Sequence, residues 1–139
     1  MTDQQYCHLK LAGFELTVLG RQFPDSHDVW DGNWLNFVCN CQDSRLKIKV
    51  TGPFLTVGEI MDLHGKLKQA NGGEISFARV EIIEPELNLF LSITSENKIL
   101  LQVDLQPDGK RQSERCEFKL NQTEISAAIE QCQIILGNL

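Results

Sequence analysis

Apolar residues fall at every second position near the start of the chain. Cys7, Leu9 and Leu11 alternate with His8 and Lys10; after Gly13, Phe14, Leu16 and Val18 alternate with Glu15 and Thr17. A period of two marks a half-buried strand, so an opening hairpin is predicted, with its turn at Gly13 and its second strand ending near Leu19. Further on, Leu35, Phe37, Cys39 and Cys41 share one face, and a turn is predicted at Gln42-Asp43-Ser44. Leu46, Ile48 and Val50 then alternate with Arg45, Lys47 and Lys49, placing three cations on a solvated face of an antiparallel sheet. Thr51-Gly52-Pro53 is expected to break this strand.

The period then changes from two to that of a helix. Thr56 and Glu59 have the spacing of a capping box, and Leu55 and Ile60 that of a hydrophobic staple. Val57, Ile60, Met61, His64 and Leu67 trace the expected inner face, and Asn71-Gly72-Gly73 the stop. With no Asp, Ser or Cys at a constrained spacing, His64 is read as a helix-edge residue rather than a catalytic one.

The second half repeats the change. Strands are predicted over 75–83, 87–94, 98–105 and 114–120, separated by Glu84-Pro85-Glu86, Glu96-Asn97 and Pro107-Asp108-Gly109. Phe90 and Leu100 oppose the main apolar faces of their strands, which predicts that a helix covers them. Asn121 with Glu124, and Leu120 with Ile125, supply a second box and staple; Ile125, Ala128, Ile129, Cys132, Ile135 and Leu136 then form one stripe. The expectation is an α+β fold: a largely antiparallel sheet of seven to eight strands, curved or sandwich-like, with helices near 57–70 and 122–136. No sequence repeat or linker divides residues 1–139, so one domain is expected.

Composition narrows the function. The 139 residues carry a net charge of -6, most of it in the second half, which disfavours nucleic acid as a partner. Lys47, Lys49 and Arg45 form the only basic cluster, and no aromatic residues interleave with them for base stacking. Met-Thr-Asp-Gln-Gln is not a signal peptide and no apolar run has spanning length, so a cytoplasmic protein with no membrane association is expected. Five cysteines at apolar positions read as buried free thiols. There is no nucleophile motif, phosphate loop or zinc pattern, and neither a cofactor nor a metal is expected.

The chemistry concentrates in Phe23 to Leu35, which holds both tryptophans. Asp25, Asp28 and Asp31 recur every third residue, but Val29 and Trp30 occupy positions where a calcium loop requires oxygen ligands. The residues support two readings: a structured loop anchored by Phe23, Asn33 and Trp34, or a partner-binding surface of Asp25, Asp28, Trp30 and Asp31. Catalysis by His27, Asp28 and Asp31 is the least supported alternative, and a small-ligand or structural module is a further one. Phe23-Pro24-x-Ser26-x-Asp28-x-Trp30-Asp31-x-Asn33-Trp34-Leu35 resembles the signature of the WapI family of bacterial immunity proteins. Gly52-Pro53-Phe54-Leu55-Thr56, leading into Glu59, and Ile83-Glu84-Pro85-Glu86-Leu87 are similar to weaker blocks of that family in the same order. The resemblance implies a non-enzymatic protein that binds and neutralises a toxin domain, several such toxins being nucleases. A basic toxin domain would be the expected partner.

Overall fold

Thr56 and Asn121 stand at the two places where a strand passes directly into a helix. The computed structural model describes residues 8–21, 34–81, 87–93, 98–106 and 112–138. Within them, β1 (His8–Leu11), β2 (Phe14–Arg21), β3 (Trp34–Gln42) and β4 (Lys47–Thr56) lead into α1 (Val57–Asn71). Then β5 (Phe77–Glu81), β6 (Leu87–Ile93), β7 (Ile99–Leu105) and β8 (Glu114–Leu120) lead into α2 (Gln122–Gly137). Each set of four strands is an antiparallel meander in sequence order, and neither sheet closes on itself. The fold is α+β, as expected. The predicted positions at Cys7, Ile82, Ile83, Thr94, Glu84-Pro85-Glu86, Glu96-Asn97 and Pro107-Asp108-Gly109 lie outside the described residues.

Both capping boxes form. The Thr56 hydroxyl accepts from the Glu59 N–H at 3.3 Å, and the Glu59 carboxylate accepts from the Thr56 N–H at 2.8 Å. Asn121 and Glu124 exchange the same pair at 2.8 and 3.0 Å. An N-cap contributes about 0.5–2 kcal/mol, and these two fix where each helix leaves its sheet. Gly73 follows α1 with φ of 74°, as the predicted stop requires.

The order of elements is repeated, although the sequence is not. The repeat is reciprocal: α1 packs on β5, the first strand of the second sheet, and α2 packs on β1, the first strand of the first sheet. The helices also pack on each other, and α1 touches its own β4. One continuous core results, with Leu9, Phe14, Phe37, Leu91, Leu101, Ile60, Leu67, Ile125 and Cys132 all in it.

Four local expectations are corrected. The fourth strand does not stop at Gly52: β4 runs to Thr56, with a bulge where Phe37 pairs with Gly52 and Leu35 with Leu55. Gly52, at φ of 141°, supplies the bulge conformation, and Pro53 is tolerated because β4 is an edge strand. The second strand runs past Leu19 to Arg21 through a bulge between Val18 and Gly20, leaving Leu19 exposed. In α1 the buried stripe is Ile60, Leu63, Leu67 and Ala70; Met61 faces outward and is 58% exposed. The helices pack at β1, β4 and β5, and Phe90 and Leu100 remain only half-buried on an outer face.

The sheet edges are covered by side chains from other elements, which blocks pairing with another chain. The Lys10 N–H of β1 donates to Gln131 Oε1 of α2 at 2.8 Å. The Arg79 carbonyl of β5 accepts from Lys66 Nζ of α1, and the Arg115 carbonyl of β8 accepts from Arg45 Nη2 at 3.3 Å. Edge strand β4 instead carries the exposed Lys47 and Lys49 beside its bulge.

The first hairpin turns through Ala12 and Gly13. Gln42 N–H donates to the Gly13 carbonyl at 2.9 Å, and a Cβ on Gly13 would lie 1.9 Å from the Gln42 carbonyl oxygen and 2.7 Å from the Phe118 ring. Gly13→Ala should therefore destabilise the protein by about 3 kcal/mol, a fall in Tm of roughly 10 °C. Ala12 has φ of 54°, which costs a non-glycine residue about 1–2 kcal/mol. Ala12→Gly should recover part of this and raise stability by about 0.5–1 kcal/mol after the added backbone entropy. Chemical denaturation of both variants checks the pair of opposite signs.

Candidate partner-binding site

Strand alternation gives each sheet an outer face, and the two outer faces differ in chemistry. On the first sheet, the register aligns Lys10 with Glu15, Glu15 with Asn40, and Asn40 with Lys49; His8 aligns with Thr17 and Thr17 with Val38. This face is mainly polar and cationic, with half-buried Val38 also on it. Glu15 lies 3.7 Å from both His8 Nε2 and Lys10 Nζ, while Lys47 and Lys49 project into solvent.

On the second sheet, Phe77 aligns with Ser92 and Ser92 with Leu100; the next row is Arg79, Phe90 and Gln102. Phe77 is 58% exposed. The Arg79 guanidinium stands 5.4 Å from the centroid of the Phe90 ring, a cation–π distance that leaves a planar donor over an aromatic face. Asp104 and Arg115 close one side of the patch with two hydrogen bonds, at 2.7 and 3.0 Å. Glu117 and Lys119 flank it on β8. Aromatic and aliphatic groups beside an arginine, inside a polar rim, have the composition of a protein-binding hot spot.

A second cluster sits where the sheets meet. The Asp43 carboxylate accepts the N–H groups of Arg45 and Leu46, each at 2.8 Å. These bonds, the Arg45 N–H first, hold its carboxyl below the ordinary carboxylate range. Beneath the turn lie Cys39, Cys41 and Cys116, all fully buried. Burial pushes the Cys39 thiol up to about 12, and Cys132, buried in α2, likewise to about 12. An open groove of about 640 Å³ runs over this corner between Gly13, Asp43, Arg45 and Phe118.

Asp25, Asp28, Trp30, Asp31, Phe23 and Asn33 lie outside the described residues. Trp34 begins β3, its backbone opposite Thr56. The Phe77–Arg79–Phe90–Leu100 patch stands where the sequence predicts a helical cover over Phe90 and Leu100. The alternation itself carried the signal: two apolar residues on the polar-facing phase of adjacent strands. Among the described residues, no group of three or more His, Cys, Asp or Glu side chains is placed to hold a metal, and no helix is long and apolar enough to cross a membrane. His64 is half-buried on α1.

The immunity protein WapI-like family model matches residues 8–139, nearly the whole chain. The chain belongs to this family. No curated protein and no solved structure matches it. Part of each of the three blocks that resemble WapI proteins in sequence is described, Leu87 of the third being buried at the start of β6. Leu35 of the first enters the core from β3, and Gly52 to Glu59 of the second spans the β4 bulge and the buried capping box. In that second block, the family pattern coincides with the point where α1 is set on course for the second sheet.

Asp43 gives a pH test of the turn between β3 and β4. Its folded pKa is lowered, so its ionisation stabilises the fold above the unfolded value of about 3.9, and that contribution is lost as pH falls through the folded value. Asp43→Asn keeps an acceptor oxygen but not the charge. Urea titrations should show wild type more stable than Asp43→Asn at pH 6, with the gap closing below about pH 3.9. A gap of unchanged size at pH 2 would contradict the assignment.

Proposed function

We propose that this WapI-family protein neutralises a toxin domain by binding it through the outer face of the second sheet. Family membership supports a protein toxin as partner. The comparison between the two outer faces supports the surface. Both sheets are four-stranded meanders in one core, and the first is built with His8, Thr17 and Asn40 facing outward. The first sheet's outer face has an aliphatic residue, Val38, but no aromatic among its described side chains, so the exposed Phe77 and half-buried Phe90 are what set the second face apart. The net charge of -6 suits a basic toxin, of which nucleases are one class, and would speed encounter at low salt. Asp25, Asp28, Trp30 and Asp31 are proposed as a second contact set, on sequence grounds.

The test uses a cognate toxin domain; if a large secreted protein is encoded directly upstream of this chain, its C-terminal domain is the one to take. Wild type should bind it at low salt. Phe77→Ala and Phe90→Ala should each weaken binding by about tenfold or more, while Thr17→Ala, on the other outer face, should leave affinity unchanged. Absence of wild-type binding contradicts the function; wild-type affinity in both phenylalanine variants contradicts the surface.

A further inference from the structure

The outer face of the second sheet is small for a toxin-binding surface. Its four strands are five to seven residues long, and at a spacing of about 4.8 Å they cover roughly 400 Å² in projection. A stable interface buries about 800 Å² on each partner, more than side-chain relief on a flat sheet supplies. A toxin held by this face must therefore touch more of the chain.

On the β5 side the face ends at α1, whose Lys66 reaches the Arg79 carbonyl. On the β8 side it continues. A hollow of about 180 Å³ lies between Ser92, Leu100, Gln102, Glu117 and Lys119, and the register puts all five on the outer face. Glu117, Phe118 and Lys119 also line the 640 Å³ groove at the seam, so the two concavities join across β8.

The groove is preformed. Arg45 ties the turn between β3 and β4 to the Arg115 carbonyl at 3.3 Å, and Gly13 packs so closely on Gln42 and Phe118 that a Cβ has no room. A rigid concavity loses little freedom when a partner fills it. Of its four charged residues, Asp43 and Arg45 pair with each other at 3.7 Å. Glu117 and Lys119, both exposed, remain to meet a partner's charge. Glu117 aligns with Gln102 and, through it, with Phe90 and Arg79, so it stands where the sheet face turns into the groove.

We propose, on the reading that the outer face of the second sheet meets a basic toxin, that a basic loop of that toxin crosses β8 and seats in the groove, with a lysine or arginine on Glu117 and an apolar side chain against Leu100. The loop adds the contact area that the sheet face lacks, and Lys119 is the like charge it has to pass.

Affinity for a cognate toxin domain, measured at low and high salt, tests the loop. At low salt Glu117→Lys should weaken binding by about tenfold and Lys119→Glu should tighten it by about threefold, both effects shrinking at high salt. Lys47→Glu, the same charge change on the first sheet, should move affinity far less. Ser44→Trp, on the groove wall, should weaken binding by about tenfold by filling the space the loop needs. All four positions are exposed, and the Tm of each variant separates lost binding from lost folding. Should Ser44→Trp fail to fold, the opposite signs at Glu117 and Lys119 decide alone. Tightening by Glu117→Lys with weakening by Lys119→Glu would make the loop acidic and overturn the proposal. Wild-type affinity in Glu117→Lys and Ser44→Trp, while Phe77→Ala still weakens binding, overturns the groove and leaves the sheet face standing; no binding by wild type overturns both.

Discussion

The exchange of helices between the two meanders is the constraint from which the rest follows. A four-stranded sheet with one apolar face must cover that face, and here each meander supplies the helix that covers the first strand of the other. Neither half buries its apolar surface alone, so the core is shared rather than divided, and the two strand-to-helix junctions determine the assembly. At these junctions the chain places its two capping boxes. The first, at Thr56 and Glu59, is itself buried, so its hydrogen bonds both start α1 and satisfy polar groups that have left water.

The same exchange explains why the edges are quiet. Because α1 and α2 lie against β5 and β1, Lys66 and Gln131 reach the outermost backbone groups of those strands. The turn between β3 and β4 does the equivalent for β8 through Arg45. Edge-to-edge pairing is suppressed, and recognition is left to the sheet faces. The two faces then divided in character, one hydrated and cationic, the other carrying Phe77, Arg79, Phe90 and Leu100.

Much of this was legible in the sequence. Strand phases, both helices, both caps and the α+β class follow from local periodicity and turn chemistry, which are short-range signals. What was not legible depended on neighbours in space. Gly52-Pro53 reads as a break because proline lacks a donor, and only its position on an edge strand makes it a bulge. Met61 and Leu63 both fit a helical stripe, and the packing of α1 against β5 and α2 selects Leu63. The architectural repeat is not a sequence repeat, because it is carried by the order of apolar and polar positions rather than by residue identity. For the patch on β5, β6 and β7, the alternation shows two apolar residues out of phase, but only the packing of α1 and α2 on β5 and β1 reveals that neither of these described helices is their cover. The residues that carry the strongest family resemblance, Phe23 to Asn33, remain a proposal from sequence.

The central claim is that this WapI-family chain meets a toxin through the outer face of its second sheet. The most direct measurement is an NMR titration of the isotope-labelled chain with a cognate toxin domain, following backbone and methyl resonances. The account predicts that the largest shifts centre on Phe77, Arg79, Phe90, Leu100 and Gln102, with those of Lys10, Asn40 and Lys49 undisturbed. Shifts centred on the first sheet instead, or none with the domain in excess, would contradict it.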